Sequence, residues 1–192
     1  VENIQRIQDS FAEATRVASV ITHPDGTPIT RPSNFCRLCN EIIRCTPKGL
    51  TNCMCSDASI GRDNPQGPIV QLCLSGGLWD AGASISVGGK HIANWLIGQI
   101  KNEAVDEERL LAYADEIGAD REVFRAALAE VPEMPREQFE RIAQTLFVLA
   151  NELSAKAYQN VQQARFITER QRLEQQMQHA QKLESLGVLA GG

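Results

Sequence analysis

The sequence predicts an α+β fold in which helices pack on an antiparallel sheet and one very long helix ends the chain. Three observations carry this. Short apolar or alternating stretches joined by turn chemistry recur without the strand–helix–strand alternation that a parallel sheet needs. Two short capped helices follow them. From Pro135 onward there is no further proline, and no glycine until Gly187.

The first helix is expected over about residues 2–17, with Ile4, Ile7, Phe11 and Ala14 at spacings of three and four. Residues 17–22 form a β-branched strand, His23-Pro24-Asp25-Gly26 a turn, and residues 27–30 its returning partner. Ser33 is placed to cap a helix running to about Arg44. Pro47-Lys48-Gly49 interrupts, and a second helix covers about 51–61. Strands are expected over 68–73, 82–87 and 92–100, the last two joined by Gly88-Gly89-Lys90-His91. Alternation in residues 83–87 suits a strand with one wet face. Asp106 caps a helix that Gly118 ends, and Asp120 caps another that stops at Val131-Pro132. Pro135 then occupies the first turn of the long helix.

Composition narrows the function. The chain has 192 residues, 43% of them hydrophobic, and a net charge of -5 at pH 7, which suits one globular domain with an extension and argues against disorder. The mild acidity leaves no electrostatic footprint for nucleic acid or an anionic membrane, and no apolar run is long enough to span one. A cytoplasmic chain is the expectation. It opens on Val1 rather than Met and ends on Gly191-Gly192, as a piece of a longer protein would. No hydrolase or transferase constellation is present, because His23 and His91 both fall in expected turns.

Five of the six cysteines crowd into residues 36–55, and Cys73 follows. Cys36-x2-Cys39, Cys53-x-Cys55 and Cys73 offer soft ligands for Zn²⁺ or an iron–sulfur cluster. Redox-reactive thiols and simple buried cysteines fit the same spacing. Asp80 beside Trp79 can bind a small polar-ended molecule at the mouth of an apolar cavity, whereas core packing is the other role open to Trp79 and Trp95.

Several of these segments together resemble one family. Asp25-Gly26-Thr27-Pro28-Ile29-Thr30, Ser33-Asn34-Phe35-Cys36, Arg44-Cys45-Thr46-Pro47-Lys48-Gly49, Cys53 with Ser56-Asp57, Cys73 with Gly77-Leu78-Trp79-Asp80, and Gly98-Gln99 are similar, in that order, to the PocR sensory domain. The likeness covers about residues 1–155. It implies a PAS-like domain that senses small hydrocarbon derivatives such as short diols, at the front of transcription regulators and histidine kinases. With the sheet motifs, it makes Phe35, Trp79, Asp80, Trp95 and Gln99 the ligand-binding candidates. Cys36, Cys39, Cys53 and Cys73 become the metal candidates, because each lies in or beside a family motif. Leu74 departs from the family, which often has His there, and Cys45 and Cys55 look like additions.

Residues 156–192 are expected to be a signalling coiled coil. Eight glutamines lie between Gln159 and Gln181, while Phe166, Leu173 and Ala180 recur seven apart beside Met177 and Leu183. That narrow seam suits a homodimer. The stretch Lys182-Leu183-Glu184-Ser185-Leu186-Gly187-Val188-Leu189-Ala190-Gly191-Gly192 is similar to the start of the dimerisation and phosphoacceptor helix of sensor histidine kinases. The likeness implies a kinase and a response regulator beyond the chain's end. No residue here is expected to be catalytic. The expectation is therefore an input domain that binds a small organic ligand, with a redox or metal sensor as the alternative.

Overall fold

The computed structural model describes residues 2–101 and 106–190, with side chains described as far as Lys182. The kinase-like stretch from Leu183 to Gly192 therefore lies outside the described side chains. The chain divides into two compact units, Val1–Leu153 and Ser154–Gly192. Four antiparallel strands, β1 (Ala18–Thr22), β2 (Ile69–Leu72), β3 (Trp79–Val87) and β4 (Lys90–Ile100), form one sheet in the order β1-β4-β3-β2. Helices α1 (Glu2–Thr15), α2 (Pro47–Ile60), α3 (Glu107–Ile117), α4 (Arg121–Ala129) and α5 (Arg136–Ala190) accompany it, with a π-helical segment at Leu38–Ile43. The architecture is α+β, as expected. No helix among the described residues is long and apolar enough to cross a membrane.

Local chemistry explains most boundaries. The Asp106 carboxylate accepts from Arg109 N–H and the Asp120 carboxylate from Glu122 and Val123 N–H, so both caps act as predicted. Gly118, at φ 73°, closes α3 in the left-handed conformation. Gly88 and Gly89 both have positive φ and make a two-residue hairpin turn, so Lys90 and His91 belong to β4 rather than to the connection.

Three expectations need correction. Residues 27–30 do not return as a strand. The turn forms, but beyond it the chain makes only isolated bridges, Thr22 to Pro28 and Ser19 to Ser33. The Thr30 hydroxyl, rather than a carbonyl, receives the Ile21 N–H at 2.8 Å, and the buried Gln8 amide bonds Arg31 O and Ser33 Oγ. Backbone bonds tie Thr27, Ile29 and Thr30 to β1 on either side of Pro28, and the pairing stops where the Thr30 side chain takes the Ile21 N–H that a longer ladder would use. Ser33 is occupied in that network, so helical structure begins only after Cys36. Finally, Pro47 starts α2 instead of interrupting it: Thr46 Oγ1 accepts from Gly49 N–H at 3.0 Å and Pro47 takes the first helical position.

The two sheet faces are used differently. Phe11, Trp95, Ala81, Ala83 and Ile97 pack with Phe139, Ala143, Leu146 and Ala150 of α5. Phe11 meets Trp95 edge-on at 5.6 Å, and full burial of a large apolar side chain is worth about 3 kcal/mol. On the other face Val20 and Leu96 pack on Ile60 of α2. A β-bulge separates the pairings Trp79–Ile100 and Ala81–Ile97, so Asp80 stands opposite both Gly98 and Gln99. Ile97 and Ile100 consequently share one cluster although they are three residues apart.

Gly98 has φ 156°, and a Cβ there would lie 1.9 Å from Asp80 Oδ1. Gly98→Ala is expected to lower unfolding free energy by about 2–3 kcal/mol in urea denaturation. An unchanged midpoint would show that the bulge is not constrained as described.

Candidate functional site

The bulge builds a polar corner into an otherwise apolar face. A cavity of ≈ 30 Å³ lies there, with Phe35, Arg44, Asp57, Asp80 and Gln99 around it and Val20, Ile60 and Leu96 as its apolar wall. That is room for no more than a water or two. Asp80 Oδ1 accepts the Gln99 N–H at 2.8 Å, and Gln99 Oε1 accepts the Cys36 N–H at 2.8 Å. Gln99 holds φ 61°, a conformation uncommon outside glycine, which these two hydrogen bonds maintain. Burial pushes the Asp80 carboxyl up to about 7, although the Gln99 N–H works against that.

Arg44 supplies the cation. Its Nη2 donates to Asp57 Oδ2 at 2.8 Å, and its guanidinium lies over the Phe35 ring at 5.2 Å from the centroid. Both members of the pair are largely buried, and burial raises the Asp57 carboxyl while Arg44 holds it back. Arg44 Nε is buried and has no hydrogen-bond partner among the described residues. An unmatched buried donor costs about 1–3 kcal/mol, so its presence beside a cavity points to something that accepts from it.

Of the ligand candidates, the structure brings Phe35, Asp80 and Gln99 to this cavity. Trp79 and Trp95 are not among its lining. Both belong to the cluster shared with α5: Trp95 Nε1 donates to Ser19 Oγ at 2.9 Å, and Arg136 lies over the Trp79 ring. Sequence reasoning passed over Arg44 and Asp57 as site residues. Each sits inside a motif quoted above, and the usable signal was a pair of opposite charges in otherwise cysteine-rich, apolar segments.

Among the described residues no three His, Cys, Asp or Glu side chains, Cys36, Cys39, Cys53 and Cys73 included, are grouped as a ready-made site for one ion. Each thiol has its own engagement. Cys53 Sγ meets Ser75 Oγ at 3.3 Å, and Cys73 Sγ accepts the Gly76 N–H at 3.2 Å. Burial pushes the Cys73 and Cys53 thiols up. Cys36 and Cys39 pair with each other: the hydrogen bond from Cys39 lowers Cys36, and the same bond together with burial raises Cys39.

A larger open cleft of ≈ 540 Å³ runs beside α2 and α3, past Asn52, Ser75, Arg109 and Tyr113. Its buried polar groups satisfy one another, since the Tyr113 hydroxyl meets both Asn52 Nδ2 and Ser75 Oγ. The small cavity is therefore the better-supported site, because Arg44, with its unmatched buried donor, lines it.

Comparison with known proteins bears on the same region. The model of a family described as the sensory domain found in PocR matches residues 1–158. The regulatory protein PocR of Salmonella typhimurium (strain LT2) is 29% identical over 136 residues, which are 69% of this chain and 44% of that protein. The chain thus spans less than half the length of that relative. No solved structure matches.

The raised Asp80 carboxyl gives a pH signature. The folded state keeps this proton up to about pH 7, whereas the unfolded chain releases it near pH 4. Folding thus binds the extra proton between those values, and the Asp80 contribution to stability falls as pH rises through that window. Asp80→Asn keeps an acceptor for Gln99 and removes the titration. Its stability relative to the parent is expected to climb by about 2–4 kcal/mol between pH 4 and 8 and then level off. Thermal unfolding across that range checks this, and parallel curves would refute it.

Proposed function

Because the chain belongs to the PocR sensory-domain family, we propose that it is the input part of a cytoplasmic sensor histidine kinase, binding a small oxygen-bearing organic molecule between Arg44 and Asp80. The observation that carries this is the buried, unmatched Nε of Arg44, a residue that lines one small cavity together with Asp80. Arg44 offers an N–H to a ligand oxygen, Asp80 accepts from a ligand hydroxyl, and Val20, Ile60 and Leu96 match a short hydrocarbon. Phe35 is the wall that must move, since the cavity as it stands is too small for anything larger than water. The kinase context rests on the likeness of residues 182–192 to a phosphoacceptor helix. The chain's own residues have no catalytic role, and the response regulator would meet the kinase region beyond them.

Signal output is assigned to a parallel homodimer through α5. In the Ser154–Gly192 unit Phe166, Leu173 and Met177 are exposed, and Phe166, Leu173 and Ala180 keep the seven-residue spacing of a coiled-coil seam. A ligand can drive such a rod only through different affinity for two of its arrangements, and a thin, glutamine-rich seam leaves those close in energy.

Two experiments test these assignments. A panel of short diols, aldehydes and carboxylates is screened by thermal shift, then by calorimetry. At least one member should raise Tm, and Asp80→Asn should weaken its binding about tenfold or more while the domain stays folded. Silence across the panel, or equal binding by the variant, would count against the cavity. For the output, sedimentation equilibrium should show a dimer that Leu173→Glu loosens without altering ligand binding. A parent chain that stays monomeric at high concentration would remove the coiled coil.

A further inference from the structure

Cys36 and Cys39 have no part in ligand recognition, yet their placement is that of a closable dithiol. The Asn40 N–H donates to Cys36 O at 3.0 Å, and Arg37 between the cysteines has φ -56° and ψ -40°. Residues 36–40 therefore form a helical turn, in which Cα atoms three apart lie about 5 Å from each other. A disulfide needs roughly 4.4–6.8 Å, so the backbone can already accommodate one. The two thiols lie close enough to act on each other, Cys39 lowering Cys36 and Cys36 raising Cys39. Cys36 is half-buried and Cys39 fully so, which means that a reagent from solvent meets Cys36 first, with Cys39 waiting behind it. Cys45 and Cys55 are exposed singly, and Cys53 and Cys73 are engaged elsewhere.

We propose that Cys36 and Cys39 form a reversible dithiol–disulfide pair, oxidised by small-molecule disulfides, whose closure shifts the Gln99–Asp80 corner of the cavity. Cys36 gives its proton to solvent and attacks one sulfur of the reagent RSSR. The reagent's S–S bond breaks, one RS⁻ leaves and takes up a proton, and a mixed disulfide remains on Cys36. Cys39 Sγ then attacks Cys36 Sγ, expelling the second RS⁻, which takes the Cys39 proton. Two protein thiols and RSSR become one protein disulfide and two RSH, with two electrons passing to the reagent. Closure draws the sulfurs to about 2 Å from each other. The Cys36 N–H is bonded to Gln99 Oε1, and the Gln99 N–H to Asp80 Oδ1, so the movement reaches the cavity through two hydrogen bonds. Only its consequence for sensing rests on the ligand assignment above; the dithiol itself does not.

The test uses the full chain carrying Cys45→Ser and Cys55→Ser, which leaves four of the six cysteines. Oxidised glutathione is the reagent, and thiols are counted by alkylation in denaturant with peptide mapping. The expected result is four alkylated thiols before oxidation and two after, with Cys36 and Cys39 in one linked peptide and full return on adding reduced glutathione. Adding Cys39→Ser should trap one glutathione on Cys36. Four thiols remaining, or linkage of another pair, would overturn the dithiol. The shift is read without ligand, as a change in the Gln99 amide resonance on oxidation that is absent in the Cys39→Ser variant. An unmoved amide would overturn the coupling, whatever the ligand screen finds.

Discussion

One hydrogen bond, from the Gln99 N–H to the Asp80 carboxylate, organises the sensing face of this domain. It holds a bulge in which one residue of β3 opposes two of β4, and the consequences spread from there. Position 98 must be glycine, because any side chain would collide with the carboxylate. Gln99 is held in a left-handed conformation, and its side chain then reaches the Cys36 N–H and fixes where the π-helical segment begins. That segment leads directly to Arg44, so the guanidinium is aimed by the same bulge that aims Asp80.

The charges on this face do not stabilise the fold cheaply. Desolvating Arg44 and Asp57 costs several kcal/mol for each ion, and such a pair often contributes less than apolar residues of equal volume. The raised Asp80 and Asp57 carboxyls and the unmatched Arg44 Nε all register that cost. The opposite face, where Trp95, Phe139 and Leu146 are fully buried, carries the cohesion that offsets it. A rigid apolar face behind a strained polar one is the arrangement expected of a binding scaffold.

Features with short-range causes were legible in the sequence. Asp106, Gly118 and Asp120 bracket their helices through contacts within three or four residues, and the Gly88-Gly89 turn follows from backbone conformation alone. What escaped depends on distant partners. The segment after Gly26 fails as a strand because the Thr30 hydroxyl, itself bonded to Gln8, takes the Ile21 N–H that a ladder would use; Pro47 is the exception, because its neighbour Thr46 caps the helix it starts. Motif order brought Phe35, Asp80 and Gln99 into view, but which face a strand residue occupies depends on register, and the bulge resets it between Trp79 and Ala81. Trp79 and Trp95 accordingly belong to the face packed on α5 and do not line the cavity with Phe35, Asp80 and Gln99. The cysteine spacing fitted metal, redox and structural roles alike, and only the fold places Cys36 and Cys39 on one helical turn while Cys53 meets Ser75 and Cys73 meets Gly76.

Carboxyl ¹³C NMR of aspartate-labelled protein tests the central claim most directly, because it reports the Asp80 environment without requiring a ligand. The predicted result is an aspartate titrating near pH 7 whose signal is lost in Asp80→Asn. If Asp80 instead titrates near or below pH 4 like an ordinary aspartate, the carboxylate is not buried as described.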